Sequence, residues 1–334
     1  MRRSGVDIIY QSANITKDVE RDKLEFTYTD NATGRADDVS LTIKDDAGKW
    51  ISSWAPKAGD TIRPILWTKD WNREGDSARL DCGIFMVDEV QYAGPPRTVI
   101  IKATSTPANT DFMHTPRSDV WDGASVKEIA QTIAGNAGLR LVFDSKADPI
   151  HDFLEQSEES DASFLYSVCQ RNGLAMKLYN KRIVIFDEVI YESRKPVLTL
   201  EEKDMLKWSC GSSLTDSGYD GCRTVYVDMA TGGLIEYLYR IPGRRGNKIY
   251  HVNDECLTIA EAERLAKASV REKNKSELTF SCSVPGNLSL VSSQTVNIRG
   301  FGKFDGKYYI DQVSRKLGSG LVTSLDMHRT LGGY

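Results

Sequence analysis

Through roughly its first 110 residues the chain alternates apolar and polar positions in short runs broken by turn residues, the pattern of half-buried antiparallel strands. Leu24-Glu25-Phe26-Thr27-Tyr28 is one such run, closed by Asp30-Asn31-Ala32-Thr33-Gly34. Val39-Ser40-Leu41-Thr42-Ile43 is the next, closed by Asp45-Asp46-Ala47-Gly48. Thr61 to Trp67 and Cys82 to Val87 flank a polar loop near Asp70 to Ser77. Pro64 has no N–H to give to a ladder, so it predicts an edge strand or a bulge for its run.

The period changes after Pro107. Ala124 to Ala134 spaces its apolar residues as a helix does, with Asp122 or Ser125 as cap and Gly138 as stop. Leu139 to Phe143 then reads as a strand. A second helix is expected over Asp161 to Asn172, stopped by Gly173, followed by a hairpin of Leu174–Leu178 and Arg182–Phe186 around Asn180-Lys181. Val225-Tyr226-Val227 returns to strand alternation, followed by Gly232-Gly233 and a basic loop, Pro242-Gly243-Arg244-Arg245-Gly246. One further helix is expected from Thr258 to Lys273, where Thr258 and Glu261 have capping-box spacing. Leu278–Val284, Thr295–Ile298, Tyr308–Val313 and Leu321–Met327 make the closing strands. All-β segments thus bracket an α+β middle.

At 334 residues the chain predicts two or three domains. Its net charge of −4 speaks against nucleic-acid or anionic-membrane binding as the main task, since both need a concentrated basic surface. The first ten residues reach Asp7 before an apolar stretch forms, so no signal peptide is expected. No run of about eighteen apolar residues predicts a membrane-spanning helix. Cys82, Cys169, Cys210, Cys222, Cys256 and Cys282 form no C-x-x-C pair, which leaves them as buried thiols rather than a zinc or redox motif.

Little points to catalysis. His114, His151, His251 and His328 lack metal-ligand spacing, and His151, in a turn after Pro149, is expected at the surface. No G-x-S-x-G elbow occurs, and Cys210-Gly211-Ser212-Ser213 reads as a polar turn. The acidic run Glu155 to Asp161 lacks the spacing of a calcium loop and reads as a solvated helix start. Arg244, Arg245 and Lys248 form a solvated basic turn. The six tryptophans, Trp50, Trp54, Trp67, Trp71, Trp121 and Trp208, are expected as core or interface anchors rather than a sugar-stacking platform. No catalytic residue, cofactor or metal is expected.

Several of these stretches together resemble the phage late control protein D family, the baseplate hub proteins of phage tails and phage-tail-like bacteriocins. The likeness runs through Tyr28-Thr29-Asp30, Gly34-Arg35-Ala36-Asp37-Asp38-Val39-Ser40-Leu41, Trp50, Trp54 and Gly59-Asp60. It continues through Gly83 to Val90, Gly94-Pro95-Pro96, Ile101 to Pro107, Trp121, the helix at Val126 to Ile133, Gln156 to Leu165 and Asn172-Gly173. It is looser over Gly302 to Tyr309, Ile310 to Val313 and Thr323 to Met327.

The resemblance implies an α+β, mainly β fold, with two tube-like β-barrel domains in one chain and an α+β domain between or outside them. It implies a first barrel over residues 1–110 and a second over 196–232 plus 276–334, with 111–195 plus about 233–275 as the peripheral α+β domain. The function implied is a non-enzymatic hub. Three copies would present six similar barrels to a sixfold tail tube while keeping threefold symmetry for the spike. Its partners would be further copies of itself as a homotrimer, the tail tube protein, the spike protein, and tape-measure or other baseplate proteins. DNA would be only passing cargo, with no membrane in the assembled state. The particle, phage or bacteriocin, would assemble in the host cytoplasm. Trp67, Trp71 and Arg73 around the Asp70–Ser77 loop, and Arg244 and Arg245, are the candidate interface residues, and the channel wall is expected to be neutral or acidic. The competing expectations are a tail-associated cell-wall hydrolase and a carbohydrate- or receptor-binding tail protein.

Overall fold

The computed structural model describes residues 2–105, 110–227 and 232–332. Thr106 and Pro107, where the pattern changes, lie outside the described residues. The mainly-β, α+β class expected from the sequence holds.

The first β portion contains β1 (Arg3–Tyr10), β2 (Ala13–Asn14), a short helix α1 (Thr16–Asp22), β3 (Lys23–Asn31), β4 (Asp38–Lys44), β5 (Thr61–Lys69), β6 (Ser77–Asp81), β7 (Phe85–Ala93) and β8 (Thr98–Thr104). Alternation sets which side chains face inward: on β4, Val39, Leu41 and Ile43 are buried while Asp38 and Lys44 are exposed. These inward residues pack with Phe26, Leu66, Phe85 and Ile101 into one core, which Leu288, Leu317 and Leu321 join from the far end of the chain. Pro64 corrects an expectation, because β5 is an interior strand paired along its length with β1. On its other flank β5 pairs with β7 at Thr61 and Ile62 and with β6 from Ile65 to Lys69. Pro64 stands where the partner changes, so its missing N–H interrupts no ladder on that side.

The middle contains α2 (Thr110–His114), β9 (Pro116–Ser125), α3 (Val126–Asn136), β10 (Arg140–Asp144), β11 (Ile150–Ser160), α4 (Asp161–Arg171), β12 (Leu174–Tyr179), β13 (Arg182–Asp187) and α5 (Glu188–Ser193). Of the two candidate caps of α3, Ser125 is the one used. Its hydroxyl accepts from the Glu128 N–H, and the Glu128 carboxylate accepts from the Ser125 N–H, a complete capping box. Ser125→Ala is therefore expected to cost about 1 kcal/mol, read as a lower urea midpoint at unchanged slope. Asn180 and Lys181 both take positive φ, 47° and 58°, as a two-residue turn between β12 and β13 requires. Helices α3 and α4 cover the β10-β13-β12 sheet, and Ile129, Ile133, Phe164, Leu165, Ile183 and Ile185 form the core between them.

The acidic run is corrected. Glu155 to Ser160 is the second half of β11, paired with β9 and bulged between Gln156 and Glu159. Helix α4 starts only at Asp161, with the Ser160 hydroxyl accepting from Ser163 N–H. Glu155 and Glu158 are exposed, while Gln156 turns inward and donates to Asp161 Oδ1 at 3.0 Å and Glu159 O at 3.0 Å. A strand with one wet flank tolerates carboxylates as readily as a helix start does.

The remainder contains β14 (Thr199–Leu200), β15 (Lys207–Ser212), β16 (Gly221–Val227), β17 (Leu234–Arg240), β18 (Ile249–Val252), α6 (Ile259–Asn274), β19 (Leu278–Pro285), β20 (Thr295–Ile298), β21 (Gly306–Leu317) and β22 (Leu321–Arg329). Residues Gly221–Val227, expected with the second β portion, pair instead with β17 and β18 and pack beneath α6. Thr258 caps α6 as expected, but the Glu261 carboxylate accepts from Leu257 N–H rather than closing the box on Thr258.

The long strand β21 joins the two β portions. One of its edges pairs with β20 from Gly306 to Tyr309 and then, past a register shift at Ile310–Gln312, with β3 from Gln312 to Leu317. The result is one 14-stranded sheet running β15-β19-β22-β21-β3-β4-β8-β7-β5-β1-β2, with β14, β20 and β6 beside that path. Among the described residues no pairing closes either portion into a ring.

Candidate assembly interface

Trp67 and Trp71 sit at the base of the Asp70–Ser77 loop, but both are engaged within the chain. Trp67 lies across the strand pair from Gly5, and its ring fills the space a side chain there would need. Its indole Nε1 donates to Asp7 Oδ1 at 3.0 Å. Trp71 packs on the first core and carries the Arg2 guanidinium 4.8 Å from its ring centroid. The loop braces itself: Asp70 takes φ 52° and accepts from Gly75 N–H at 2.9 Å, and Asn72 donates to Asp76 at 2.9 Å. Arg73 is exposed at the tip.

The basic turn divides in the same way. Arg244 pairs with Glu277. Lys248 donates to the Ser217 carbonyl at 2.6 Å and lies over the Tyr219 ring. These contacts brace the turn against the connection from α6 to β19 and against the segment before β16. Arg245 is exposed. The three basic residues of this turn thus supply one outward charge, too little for a phosphate-binding loop.

The ends of the large sheet offer more to a partner than these side chains do. Among the described residues strand β15 pairs only with β19; Leu206 just before it and Trp208 on it are 61% and 40% exposed. Trp208 stacks on Phe280 and meets Phe301 edge-on at 4.9 Å, so a firm aromatic base backs an exposed strand edge. At the opposite end, among the described residues, β2 and α1 cover only the final residues of β1. Unpaired strand edges template pairing with another chain unless something covers them. Sequence alternation singled out neither end strand, and which strand ends the sheet depends on every other pairing.

Two buried charge clusters fix how the units sit on one another. In the first, Lys177 of β12 lies 2.5 Å from Asp30 Oδ1 and 3.2 Å from Asp37 Oδ1, while Ser292 donates to Asp30 through its N–H at 2.9 Å and its hydroxyl at 2.7 Å. The middle unit and both β portions therefore meet on one lysine. Burial raises the Asp37 carboxyl to about 7 despite Lys177, with Asp30 adding to the rise, whereas Lys177 and Ser292 overcome burial and hold Asp30 low. Arg315, fully buried on β21, sits 5.6 Å from the Tyr28 ring and donates to Leu290 O.

In the second cluster, α5 supplies Glu188 and Glu192, α6 supplies Arg271 with Lys275 at its C-cap, and β22 supplies His328. His328 Nε2 is 2.9 Å from Glu192 Oε1, and its Nδ1 is 2.8 Å from Asp311. Burial alone would lower its pKa, yet Asp311 and Glu192 raise it to about 9. Burial likewise works against the Glu188 carboxylate, but Lys275, His328 and Arg271 together hold it below the usual range.

His151, expected at the surface, is 5% exposed. Its Nδ1 is 2.9 Å from Glu261 Oε1 and its Nε2 is 2.9 Å from Asn172 Nδ2, while Asn172 Oδ1 accepts from Arg264 at 3.0 Å. Its Glu261 partner is 110 residues away, so neighbouring sequence carried no sign of its burial. Burial pushes the thiols of Cys82, Cys169, Cys222 and Cys282 up to about 12, which leaves them protonated and poorly nucleophilic near neutral pH. Cys210 to Ser212 belong to β15 rather than to a turn.

No family model matches the chain. A probable baseplate hub protein of Escherichia phage 186 is 31% identical over 202 residues, 58% of this chain and 48% of that protein. A probable baseplate hub protein of Escherichia phage P2 is 30% identical over 171 residues, 50% of this chain and 41% of that one. The match thus spans about half the length of these curated relatives. Among solved structures, a tail protein from Neisseria meningitidis superposes with a TM-score of 0.74 at 12% identity, covering 98% of this chain and 96% of that one. A 43 kDa tail protein of prophage MuSo2 from Shewanella oneidensis gives 0.72 at 11% identity, covering 97% and 98%. A type VI secretion component of E. coli, described as similar to tail proteins of phage T4, gives 0.58 at 10% identity, covering 94% and 75%. At these identities the likeness is one of fold.

Proposed function

Because the chain is a relative of phage baseplate hub proteins and shares its fold with phage tail proteins, we propose that it is a structural, non-catalytic baseplate hub. On this reading three copies form a ring on the tail axis between a sixfold tube and a threefold spike, within a phage tail or a phage-tail-like particle. Each copy contributes two tube-like β domains, residues 1–110 and the strands β14, β15 and β19 to β22, with the α+β segments and β16 to β18 outside the ring. Six alike domains then face the tube while true threefold symmetry is kept for the spike.

The observation that carries this reading is the open sheet: two β portions fused through β3 and β21, with one uncovered strand edge at β15 and another along β1. Pairing the β15 end of one copy with the β1 end of the next would bury both edges and close the ring after three copies, so that no edge is left to propagate. The wall facing the channel is neutral or acidic on this reading, so that passing DNA does not adhere.

Solution mass, measured alone and with the neighbouring spike protein, tests the reading. A trimer in either condition is expected. A chain that stays monomeric in both, or an electron-microscopy map in which the β domains do not surround one axis, would overturn it. Clearing of a cell-wall substrate by the purified chain would instead favour a lysin. Arg73→Glu, at the exposed loop tip, is expected to leave the urea midpoint unchanged while weakening co-sedimentation with tail tubes. Undiminished co-sedimentation would remove that loop from the interface.

A further inference from the structure

Between α1, the end of β1 and the loop from β4 to β5 lies a surface cleft of about 330 Å³, large enough for one side chain and its flanking backbone. Tyr10, Ile15, Trp50 and Trp54 form its apolar walls, and the charged groups lining it are two carboxylates, Asp18 and Asp60, with no lysine or arginine among them. Trp50, itself buried, holds Trp54 edge-on at a centroid separation of 5.6 Å, leaving Trp54 38% exposed. Asp60 is fixed in place: the Tyr10 hydroxyl and the Lys57 N–H donate to its Oδ2, and Gln11 Nε2 donates to its Oδ1. The Asp18 carboxylate accepts no hydrogen bond among the described residues and remains available. Lys49 lies 4.8 Å from the Trp54 ring centroid, a separation at which that ring attracts a cation, but Lys49 does not line the cleft.

We propose that this cleft is a docking pocket for an arginine side chain carried on an exposed loop of another protein. A guanidinium is planar, donor-only and permanently charged, so it can lie against an indole while its fork points at a carboxylate. Aromatic walls with two carboxylates match it on both counts. A neutral sugar carries no charge to answer the two carboxylates, and an acidic ligand would be repelled. The pocket lies on the first β portion, away from the β15 end of the sheet, and does not depend on the hub reading.

The test titrates the full chain with the pentapeptide Gly-Gly-Arg-Gly-Gly while the tryptophan indole N–H signals are followed by NMR, with Trp54→Phe used to assign Trp54. Saturable shifts of Trp54 and Trp50 are expected, weaker with lysine in place of arginine and absent with glutamate. Asp18→Asn, a change at a half-buried side chain that breaks no hydrogen bond among the described residues, is expected to weaken binding about tenfold, the loss of one charge-assisted contact. The proposal is overturned by no saturable shift with the arginine peptide, by unchanged affinity in Asp18→Asn, or by equal shifts from an N-acetylglucosamine oligomer.

Discussion

Lys177→Met is expected to destabilise the chain by about 3–5 kcal/mol, the cost of removing one partner from a buried ion cluster. The methionine keeps much of the volume, so the loss is electrostatic. Asp30 and Asp37, both buried, would face each other without their shared cation. The signs for the parent chain follow from its two carboxyls. Asp37 is raised to about 7, so its contribution is complete below the ordinary carboxyl pKa and is lost as pH rises through about 7. Asp30 is lowered, so its contribution is present above the ordinary value and is lost as pH falls through the depressed one. Without Lys177 both carboxyls lose their reason to ionise, and the variant's urea midpoint should fall more steeply than the parent's between about pH 5 and 8. Lys102→Met, at an exposed pair with Glu89, serves as the control and should change little. Equal midpoints for Lys177→Met and Lys102→Met would show that the cluster does not hold the units together.

Alkaline pH should loosen the second junction. His328 is raised from 6.5 to about 9, so its contribution is fully present below about 6.5 and disappears as pH rises through about 9. The shift corresponds to on the order of 3 kcal/mol, lost between about pH 6 and 10. The groups facing the imidazole come from several elements: Glu192 and Glu188 from α5, Lys275 from the C-cap of α6, and Asp311 from β21. His328→Gln should abolish this part of the pH dependence, which separates it from other groups that titrate over the same range. An unchanged slope of stability against pH in the variant would show that His328 is not charged in the folded chain.

What could be foreseen from the sequence was local. Alternation at Val39 to Ile43, the cap at Ser125, the stops at Gly138 and Gly173 and the turn at Asn180-Lys181 each depend on residues within one or two turns of chain, and each stands where expected. The failures share a different cause. Pro64 reads as an edge signal only if its strand has one partner on a flank, and β5 has two. The carboxylates of Glu155 to Asp161 suit a strand flank as well as a helix start, and the long pairing with β9 decides between them. The Asp30–Lys177 contact joins residues 147 apart and the Asp30–Ser292 contact residues 262 apart. In the candidate interface, Arg73 and Arg245 are exposed as a docking residue must be, whereas Trp67, Trp71 and Arg244 are held by partners inside the chain.

The pairing of β21 with β3 has a consequence for synthesis. Strand β3 is made well before its partner on one side, Gln312 to Leu317: the paired residues Asn31 and Gln312 are 281 apart. Until then the nascent N-terminal half must carry Phe26 to Asn31 as a raw edge, open to pairing with other polysomal copies or in need of a chaperone. Messages cut short before codon 306 should accordingly yield insoluble product rather than a smaller folded protein.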